Sequence, residues 1–214
     1  MKLSVVTTLY NSEKFIEEFY NRTVKEIRKI TNDYEIIFVN DGSKDNSLCK
    51  SLEVKRIDNC VIVIDLSRNF GHHKAIMAGL KKSTGDYIFL LDVDLEEKPE
   101  WLSIFWDKIN SIQDIDVVYG AQKMRKGGYF ERISGSLFFT IYNFLSETKI
   151  PKNLILARLM TGRYVNSLLE FGENEIVFAG VSELTGYNKI EIPVEKKNKG
   201  NTTYNFFKKI NLSL

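Results

Sequence analysis

The most constraining feature of this sequence is a regular alternation of short β-rich runs with longer amphipathic segments over residues 1–121. Such alternation is typical of βαβ units, which form a largely parallel sheet with helices packed against it. The runs predicted as strands are Leu3–Thr8, Tyr34–Val39, Val61–Ser67, Tyr87–Leu91 and Val117–Ala121. We therefore expect an α/β, Rossmann-like fold, and a chain of 214 residues suits one domain better than two.

The sequence after residue 121 follows a different pattern, because the alternation stops there. In chain order, its predicted elements are a basic loop at Lys123–Gly128, an aromatic helix at Tyr129–Ser146, a helix at Thr161–Phe171 and strands at Glu175–Val181 and Tyr187–Val194. We therefore expect the single domain to have two functional halves, at 1–121 and 122–214.

Charge and cysteine content exclude several classes of protein. The 30 Lys and Arg residues nearly balance 28 Asp and Glu, so the net charge of +2 gives no reason to expect nucleic-acid binding. Cys49 and Cys60 lack the spacing of a zinc site or a disulfide framework, which favours a reducing compartment. The sequence has neither a signal-peptide pattern nor a run of about 18 apolar residues. These features predict a cytoplasmic protein whose contact with a membrane would be peripheral.

Polar residues follow four of the predicted strands where each strand ends. In an open parallel sheet, ligands bind outside the carboxyl ends of the strands, so we expect these residues to meet in one crevice. Read alone, the tetrapeptide Asn40–Ser43 favours an ordinary turn. The residues at the four strand ends are Tyr10 and Asn11, Asp41 and Gly42, Arg68 and Asn69, and Asp92 and Asp94.

The acidic end of the fourth strand is the strongest single indication of chemistry. Asp92, Asp94 and Glu96 occupy alternate positions, and an extended segment would turn all three to the same side. Clustered carboxylates repel one another unless a cation neutralises them, and such oxygen ligands suit Mg²⁺ or Mn²⁺. A solvated acidic loop is the alternative, but the position after the fourth strand favours a metal site.

The sequence carries four segments that resemble, in order and spacing, motifs of family 2 glycosyltransferases: TTLYNSE, FVNDGSKDNS, LSRNFGHHKAIMAGL and GDYIFLLDVDLEEKPEWL. It is most similar to the polyprenyl-phosphate glycosyltransferases, such as dolichol-phosphate mannose synthases and bacterial enzymes acting on undecaprenyl phosphate. The resemblance runs from residue 1 to about residue 207 and is most specific through Glu100. It implies a GT-A fold and inverting transfer of a sugar from a UDP- or GDP-linked donor to polyprenyl phosphate.

The resemblance assigns the first half of the chain to the nucleotide sugar. It implies that Tyr10 packs against the base and that Asp41 and Arg68 contact the base and ribose. It also implies that Asp92, Asp94 and Glu96 surround Mg²⁺ or Mn²⁺ at the donor's diphosphate, where a divalent ion would spread the negative charge. The donor-binding residues that it implies are Thr8, Tyr10, Asn11, Glu13, Asp41, Arg68, Asn69, Asp92 and Val93.

The resemblance assigns the second half to the acceptor. Arg132 with Ser136 falls on the spacing of the phosphate-binding residues, and we expect Arg132 to take part in catalysis. The apolar residues of Tyr129–Ser146 suit a membrane surface or a membrane-protein partner, although an ordinary core-facing helix fits them equally. The lysine-rich tail at 189–214 also suits an anionic lipid surface. The implied acceptor-phosphate residues are Arg125, Arg132, Ser136, Arg158 and Lys197.

Several positions depart from the family's pattern. Gln122 replaces a usual arginine, Leu156 replaces a commonly acidic residue, and Lys197, Thr202 and Thr203 replace the usual arginine, serine and lysine near the end of the chain. Glu96 stands in place of a usual glutamine and adds one negative charge to the predicted metal site. These departures keep two alternatives open: transfer to a sugar hydroxyl of a surface polysaccharide, and a non-catalytic protein that binds the donor. A phosphate acceptor is already ionised near neutral pH, so it tolerates the loss of an acid at Leu156. Adjacent histidines on a helix point in different directions, so we expect no direct catalytic role for His72 or His73.

Overall fold

The computed structural model describes residues 1–122, 154–171, 182 and 185–196. The predicted helix at Tyr129–Ser146 and the predicted strand at Glu175–Val181 lie outside these residues, as do the basic loop before that helix and most of the lysine-rich tail.

A seven-stranded sheet forms the centre of the fold. Its strands are β1 (Leu3–Leu9), β2 (Tyr34–Asn40), β3 (Val61–Asp65), β4 (Tyr87–Leu90), β5 (Val117–Gln122), β6 (Leu154–Thr161) and β7 (Lys189–Val194). The strand order is β3-β2-β1-β4-β6-β5-β7, and among these described strands only β6 runs antiparallel to its neighbours. The chain builds outward from β1 to β3 and then returns to place β4 on the other side of β1. This reversal creates a topological switch point between β1 and β4, where open sheets bind ligands.

Helices cover both faces of the sheet. They are α1 (Ile16–Ile27), α2 (Ser47–Ile57), α3 (His72–Lys82), α4 (Trp101–Ser111) and α5 (Gly162–Glu170). Phe19 of α1 and Phe105 of α4 pack in the core on one face, whereas Ile76 of α3 and Tyr164 of α5 pack in the core on the other. Burial on both faces explains why a central strand such as β2 is buried throughout. The predicted α/β class, with a largely parallel sheet flanked by helices, is confirmed.

The antiparallel strand β6 was not predicted from the sequence. It lies between β4 and β5 and pairs with both, so these two strands are not neighbours. Its apolar run does not alternate with polar residues, and hydrophobic periodicity alone does not distinguish a buried strand from a buried helix. The insertion brings Arg158 opposite Leu90 of β4 and Tyr119 of β5.

Glu35 on β2 is a buried carboxylate whose contacts predict a pH-dependent contribution to stability. It binds Lys2 Nζ at 2.8 Å, Ser4 Oγ at 2.6 Å and Thr84 N at 2.6 Å. Burial raises the pKa of Glu35, but these partners outweigh it and hold the pKa below the ordinary value of 4.5. The stabilisation is therefore present above about pH 4.5 and is lost as the pH falls through the folded-state pKa.

We expect Glu35→Gln to lower the free energy of unfolding at pH 7 by about 1–3 kcal/mol, because it weakens charge-assisted hydrogen bonds. Urea denaturation of both proteins between pH 3 and pH 7 measures the difference, which should shrink below about pH 4.5. If the difference in the free energy of unfolding stays constant with pH, the negative charge of Glu35 contributes nothing to stability.

Candidate functional site

The loops after β1, β2 and β3 are joined by hydrogen bonds at the carboxyl edge of the sheet. The backbone N–H of Lys44 donates to Asn11 Oδ1 at 3.0 Å, and the N–H of Asn11 donates to Ser43 Oγ at 3.1 Å. Asp41 accepts hydrogen bonds from the backbone N–H groups of Phe70 at 2.7 Å and Gly71 at 3.1 Å. The structure therefore joins the loops at three of the four strand ends that the sequence predicted to meet.

Asp41 and Gly42 set the position of the segment that carries Arg68 and Asn69. Asp41 is buried, and its two carboxylate oxygens hold the backbone just before α3. Gly42 has a φ of +63°, and a Cβ at this position would lie 2.4 Å from the backbone N of Asn69. The turn after β2 thus orders the next loop, while direct contact of Asp41 with a base or ribose stays a prediction.

Aromatic and cationic side chains line the exposed side of these loops. Tyr10 is 52% exposed, and Phe70 is also exposed. The guanidinium carbon of Arg68 lies 4.2 Å from the centroid of the Phe70 ring. Flat surfaces of this kind suit a nucleotide base. Phe70 was not predicted as a site residue, although its place directly after Arg68 and Asn69 was a signal that could have identified it.

Three other predicted donor-binding residues have contacts within the protein. Glu13 Oε2 accepts a hydrogen bond from Asn46 N at 2.9 Å, which ties the loop after β1 to the start of α2. Val93 is buried in the apolar core. Thr8 Oγ1 lies 3.0 Å from His72 Nδ1 at the start of α3. Their roles toward a donor stay predictions.

His72 lies between Thr8 and Asp92, a position that the sequence did not reveal. Its Nε2 is 3.6 Å from Asp92 Oδ1. Desolvation and the neighbouring His73 lower the pKa of His72 to about 4, so the imidazole is neutral at pH 7. The contact with Thr8 at Nδ1 defines the orientation of the ring. The Nε2 of His72 therefore faces Asp92, but at 3.6 Å it is too far for a hydrogen bond.

The acidic segment after β4 does not have the extended backbone that the sequence predicted. Asp92, Asp94 and Glu96 are partly exposed, whereas the residues between them are buried. The segment is not extended, because β4 ends at Leu90 and Leu95 has a φ of +63°. A turn, and not strand alternation, therefore leaves these three residues partly exposed.

The electrostatics of the turn favour a cation. Desolvation and the charges of Glu97, Asp94 and Glu96 outweigh the opposing charge of Lys196 and raise the pKa of Asp92 to about 8. Repulsion of this kind is relieved when a cation binds.

The side chains at this turn fit a divalent ion that is shared with a ligand. In the part of the chain that the structure describes, no group of three or more His, Cys, Asp or Glu side chains could hold a metal by itself. Mg²⁺ is commonly bound by one or two carboxylates together with substrate phosphates, so a pair suffices. Asp92 and Asp94 fit this role, and Asp94 Oδ1 also accepts the N–H of Glu96 at 3.0 Å. The metal set Asp92, Asp94 and Glu96 stays a prediction.

Glu97 is a residue of this region that sequence reasoning missed. Its side chain is fully buried, and its Oε1 lies 2.9 Å from Lys196 Nζ. The backbone N–H groups of Asp92 and Leu156 donate to its carboxylate at 3.4 and 3.1 Å. Glu97 therefore connects the acidic turn, β6 and the chain after β7. Its position directly after Glu96 was visible in the sequence, but its burial was not.

The predicted acceptor-phosphate residues are only partly described. Arg158 lies inside the sheet with 3% exposure, and its guanidinium donates to the carbonyl oxygens of Leu156 at 3.0 Å and Ile155 at 3.2 Å. Its role toward an acceptor stays a prediction. No helix within the described ranges is long and apolar enough to cross a membrane. The predicted residues outside those ranges are Arg125, Arg132, Ser136 and Lys197.

The sequence of residues 4–168 matches the family described as glycosyl transferase family 2. The chain is 44% identical over 210 residues to a protein from Mycobacterium tuberculosis (strain CDC 1551 / Oshkosh) described as "Putative glycosyltransferases", covering 98% of this chain and 61% of that protein. It is 30% identical over 214 residues to the undecaprenyl-phosphate 4-deoxy-4-formamido-L-arabinose transferase of Proteus mirabilis (strain HI4320), covering 99% of this chain and 65% of that protein. The chain thus spans less than two thirds of the length of either relative.

The fold is also similar to that of solved glycosyltransferases. A mannosyltransferase from Pyrobaculum calidifontis, solved in complex with GDP-Man and Mn²⁺, matches with a TM-score of 0.60 at 15% identity. The match covers 89% of this chain and 54% of that one. The similarity confirms the GT-A fold that the sequence motifs implied.

Proposed function

Because the chain belongs to glycosyl transferase family 2, we propose that it transfers a sugar, with inversion, from a UDP- or GDP-linked donor to polyprenyl phosphate. The observation that carries this proposal is the position of Asp92 and Asp94. They follow β4 at the switch point of the sheet, beside the hydrogen-bonded loops after β1, β2 and β3. Residues 1–121 would bind the donor, and residues 122–214 would bind the acceptor.

The donor would lie along the carboxyl edge of the sheet. The exposed faces of Tyr10 and Phe70 suit the base, and Arg68 is already stacked on one of them. Asp92 and Asp94 would hold Mg²⁺ or Mn²⁺ against the diphosphate. The bound ion would stabilise the charge that develops on the departing nucleoside diphosphate. The mannosyltransferase solved with GDP-Man and Mn²⁺ supports this pairing of a nucleotide sugar and a metal in the same fold.

The acceptor would enter from the side opposite the diphosphate, and its phosphate oxygen would attack the sugar in line, which inverts the anomeric carbon. A phosphate acceptor needs no general base. An acceptor of this kind agrees with the apolar Leu156, which stands where the family's pattern commonly has an acidic residue. The proposed phosphate contacts are Arg125, Arg132, Ser136, Arg158 and Lys197, with Arg132 orienting the attacking oxygen. The named activity of the Proteus mirabilis relative supports an undecaprenyl-phosphate acceptor.

A polyprenyl acceptor would bring the chain to a membrane surface. The six lysines against two glutamates at 189–214 suit peripheral binding to anionic lipid on the cytoplasmic face. A membrane protein that completes the acceptor site is the other proposed partner.

The test is transfer from radiolabelled UDP- and GDP-sugars to undecaprenyl phosphate in detergent, with Mn²⁺ or Mg²⁺, followed by organic extraction. We expect label in the organic phase that disappears when EDTA removes the metal. Label on a soluble oligosaccharide instead would show that the acceptor is a sugar hydroxyl. Nucleotide binding without transfer to either acceptor would show a non-catalytic donor-binding protein.

A further inference from the structure

Lys196, just after β7, reaches the proposed donor site from the far side of the sheet. In the strand order, β7 lies three places from β4. Neighbouring strands lie about 4.8 Å apart, so these two strands are separated by roughly 14 Å. The Nζ of Lys196 is nevertheless 2.9 Å from Glu97 Oε1, directly after the acidic turn that follows β4. The chain after β7 therefore brings a cation back across the carboxyl edge of the sheet.

The ammonium group of Lys196 is close enough to Asp92 and Asp94 of the proposed metal site to interact with both electrostatically. Burial lowers the pKa of Lys196, but the charges of Glu97, Asp92 and Asp94 outweigh burial and raise it. Lys196 is therefore protonated at neutral pH, and its charge is felt by both aspartates. The side chain of Lys196 is 23% exposed to solvent, whereas that of Glu97 is fully buried.

The ammonium group of Lys196 can donate more hydrogen bonds than Glu97 accepts from it. An ammonium group carries three N–H donors. Among the described residues, Glu97 is the hydrogen-bonded partner that the structure gives it. A buried ion pair alone contributes little net stability, because desolvation of both charges offsets their attraction. A partly exposed cation that a buried carboxylate holds beside two aspartates is well placed to meet an anionic ligand.

We propose that Lys196 is a donor-binding residue whose ammonium group, held by Glu97, donates a hydrogen bond to the diphosphate of the nucleotide sugar. This assignment rests on the proposed function, because it uses the same donor site. Glu97 acts through Lys196 and the acidic turn and is a positioning residue. A fixed cation at the diphosphate supplements the divalent ion and needs no reorganisation when the nucleoside diphosphate departs.

The test is the affinity of Lys196→Met for UDP and GDP, measured by isothermal titration calorimetry in Mn²⁺ and compared with binding of uridine and guanosine by ligand-observed NMR. We expect Lys196→Met to bind UDP or GDP, whichever the wild type binds, at least about 10-fold more weakly than the wild type does. The reason is the loss of a charge-assisted hydrogen bond. Binding of the matching nucleoside should be unchanged. Lys196→Arg, which keeps the charge, should retain most of the affinity for the diphosphate. Lys55→Met, on the exposed side of α2, is the matched control.

A second variant separates binding from folding, since Lys196→Met leaves Glu97 buried without its cation. The double variant Lys196→Met/Glu97→Gln removes that stranded charge and should restore thermal stability without restoring diphosphate affinity. Recovery of affinity together with stability would overturn the proposal, as would wild-type affinity in a folded Lys196→Met protein. If the wild type binds neither UDP nor GDP, the proposed function is wrong, and the assignment of Lys196 is wrong with it.

Discussion

Asp92→Asn and Asp94→Asn are each expected to weaken Mn²⁺-dependent binding of UDP or GDP by roughly 100-fold or more, because each removes an ionised ligand of the ion. The fold should be unaffected. Burial and neighbouring carboxylates raise the pKa of Asp92 to about 8, so its ionised form is disfavoured in the folded protein. The loss of folding free energy from ionising Asp92 grows as the pH rises from the ordinary carboxyl pKa of 3.8 toward 8. Metal-free Asp92→Asn should therefore be at least as stable as the wild type at pH 7 to 9.

Calorimetric titration with the nucleotide, with and without Mn²⁺, measures the first effect, and thermal unfolding in EDTA measures the second. Asp107→Asn, at an exposed position of α4, is the matched control and should change neither quantity. Unchanged nucleotide affinity in both site variants would remove the metal assignment. Loss of stability in Asp92→Asn would show instead that the carboxylate serves the fold.

The first half of the fold could be predicted because local pattern and global architecture agree there. The five strands predicted before residue 122 are all present, with ends within two residues of the prediction. In this half, a helix that packs against the sheet follows each of β1 to β4, so strand-like and helix-like patterns alternate along the sequence. The site residues after β1, β2 and β3 follow from the same logic, because parallel strands present their carboxyl ends at one edge.

The second half was harder to predict because its structure depends on long-range pairing. Strand β6 is recognisable only from its partners β4 and β5, and no local pattern in its apolar run identifies it. The same reason hid Glu97 and Lys196, whose contact joins the loop after β4 to the end of β7. Local alternation predicted an extended segment at Asp92, Asp94 and Glu96, but the positive φ of Leu95 shows that the segment is a turn.

The contacts of Asp41 and Glu97 suggest why a site of this kind requires buried carboxylates as well as exposed ones. Asp41 holds the backbone before α3, and Glu97 holds the backbone N–H of Asp92. Both hold segments of the proposed donor site in place, and both are themselves withdrawn from solvent. Pre-positioned groups of this kind reduce the ordering that binding requires.

Gly42→Ala is expected to weaken nucleotide binding at least about 10-fold and to lower the free energy of unfolding by roughly 3 kcal/mol. Its φ of +63° costs a non-glycine residue about 1–3 kcal/mol. The added Cβ would also lie 2.4 Å from the backbone N of Asn69 and 2.5 Å from the carbonyl carbon of Arg68. The clash involves backbone and cannot be relieved by a side-chain rotation, so the loop that carries Arg68 must move.

Gly186→Ala provides a matched control for backbone strain. Gly186 has a similar φ of +70°, but its added Cβ would meet no atom of the described residues within 4 Å. It should lose only the strain energy of about 1–3 kcal/mol and keep wild-type nucleotide affinity. Chemical denaturation and nucleotide titration of both variants separate the two effects. Equal nucleotide affinities in the two variants would show that the loop carrying Arg68 and Asn69 does not contact the nucleotide. A loss of affinity in Gly42→Ala alone would show that donor binding depends on the close packing of this loop against the turn after β2.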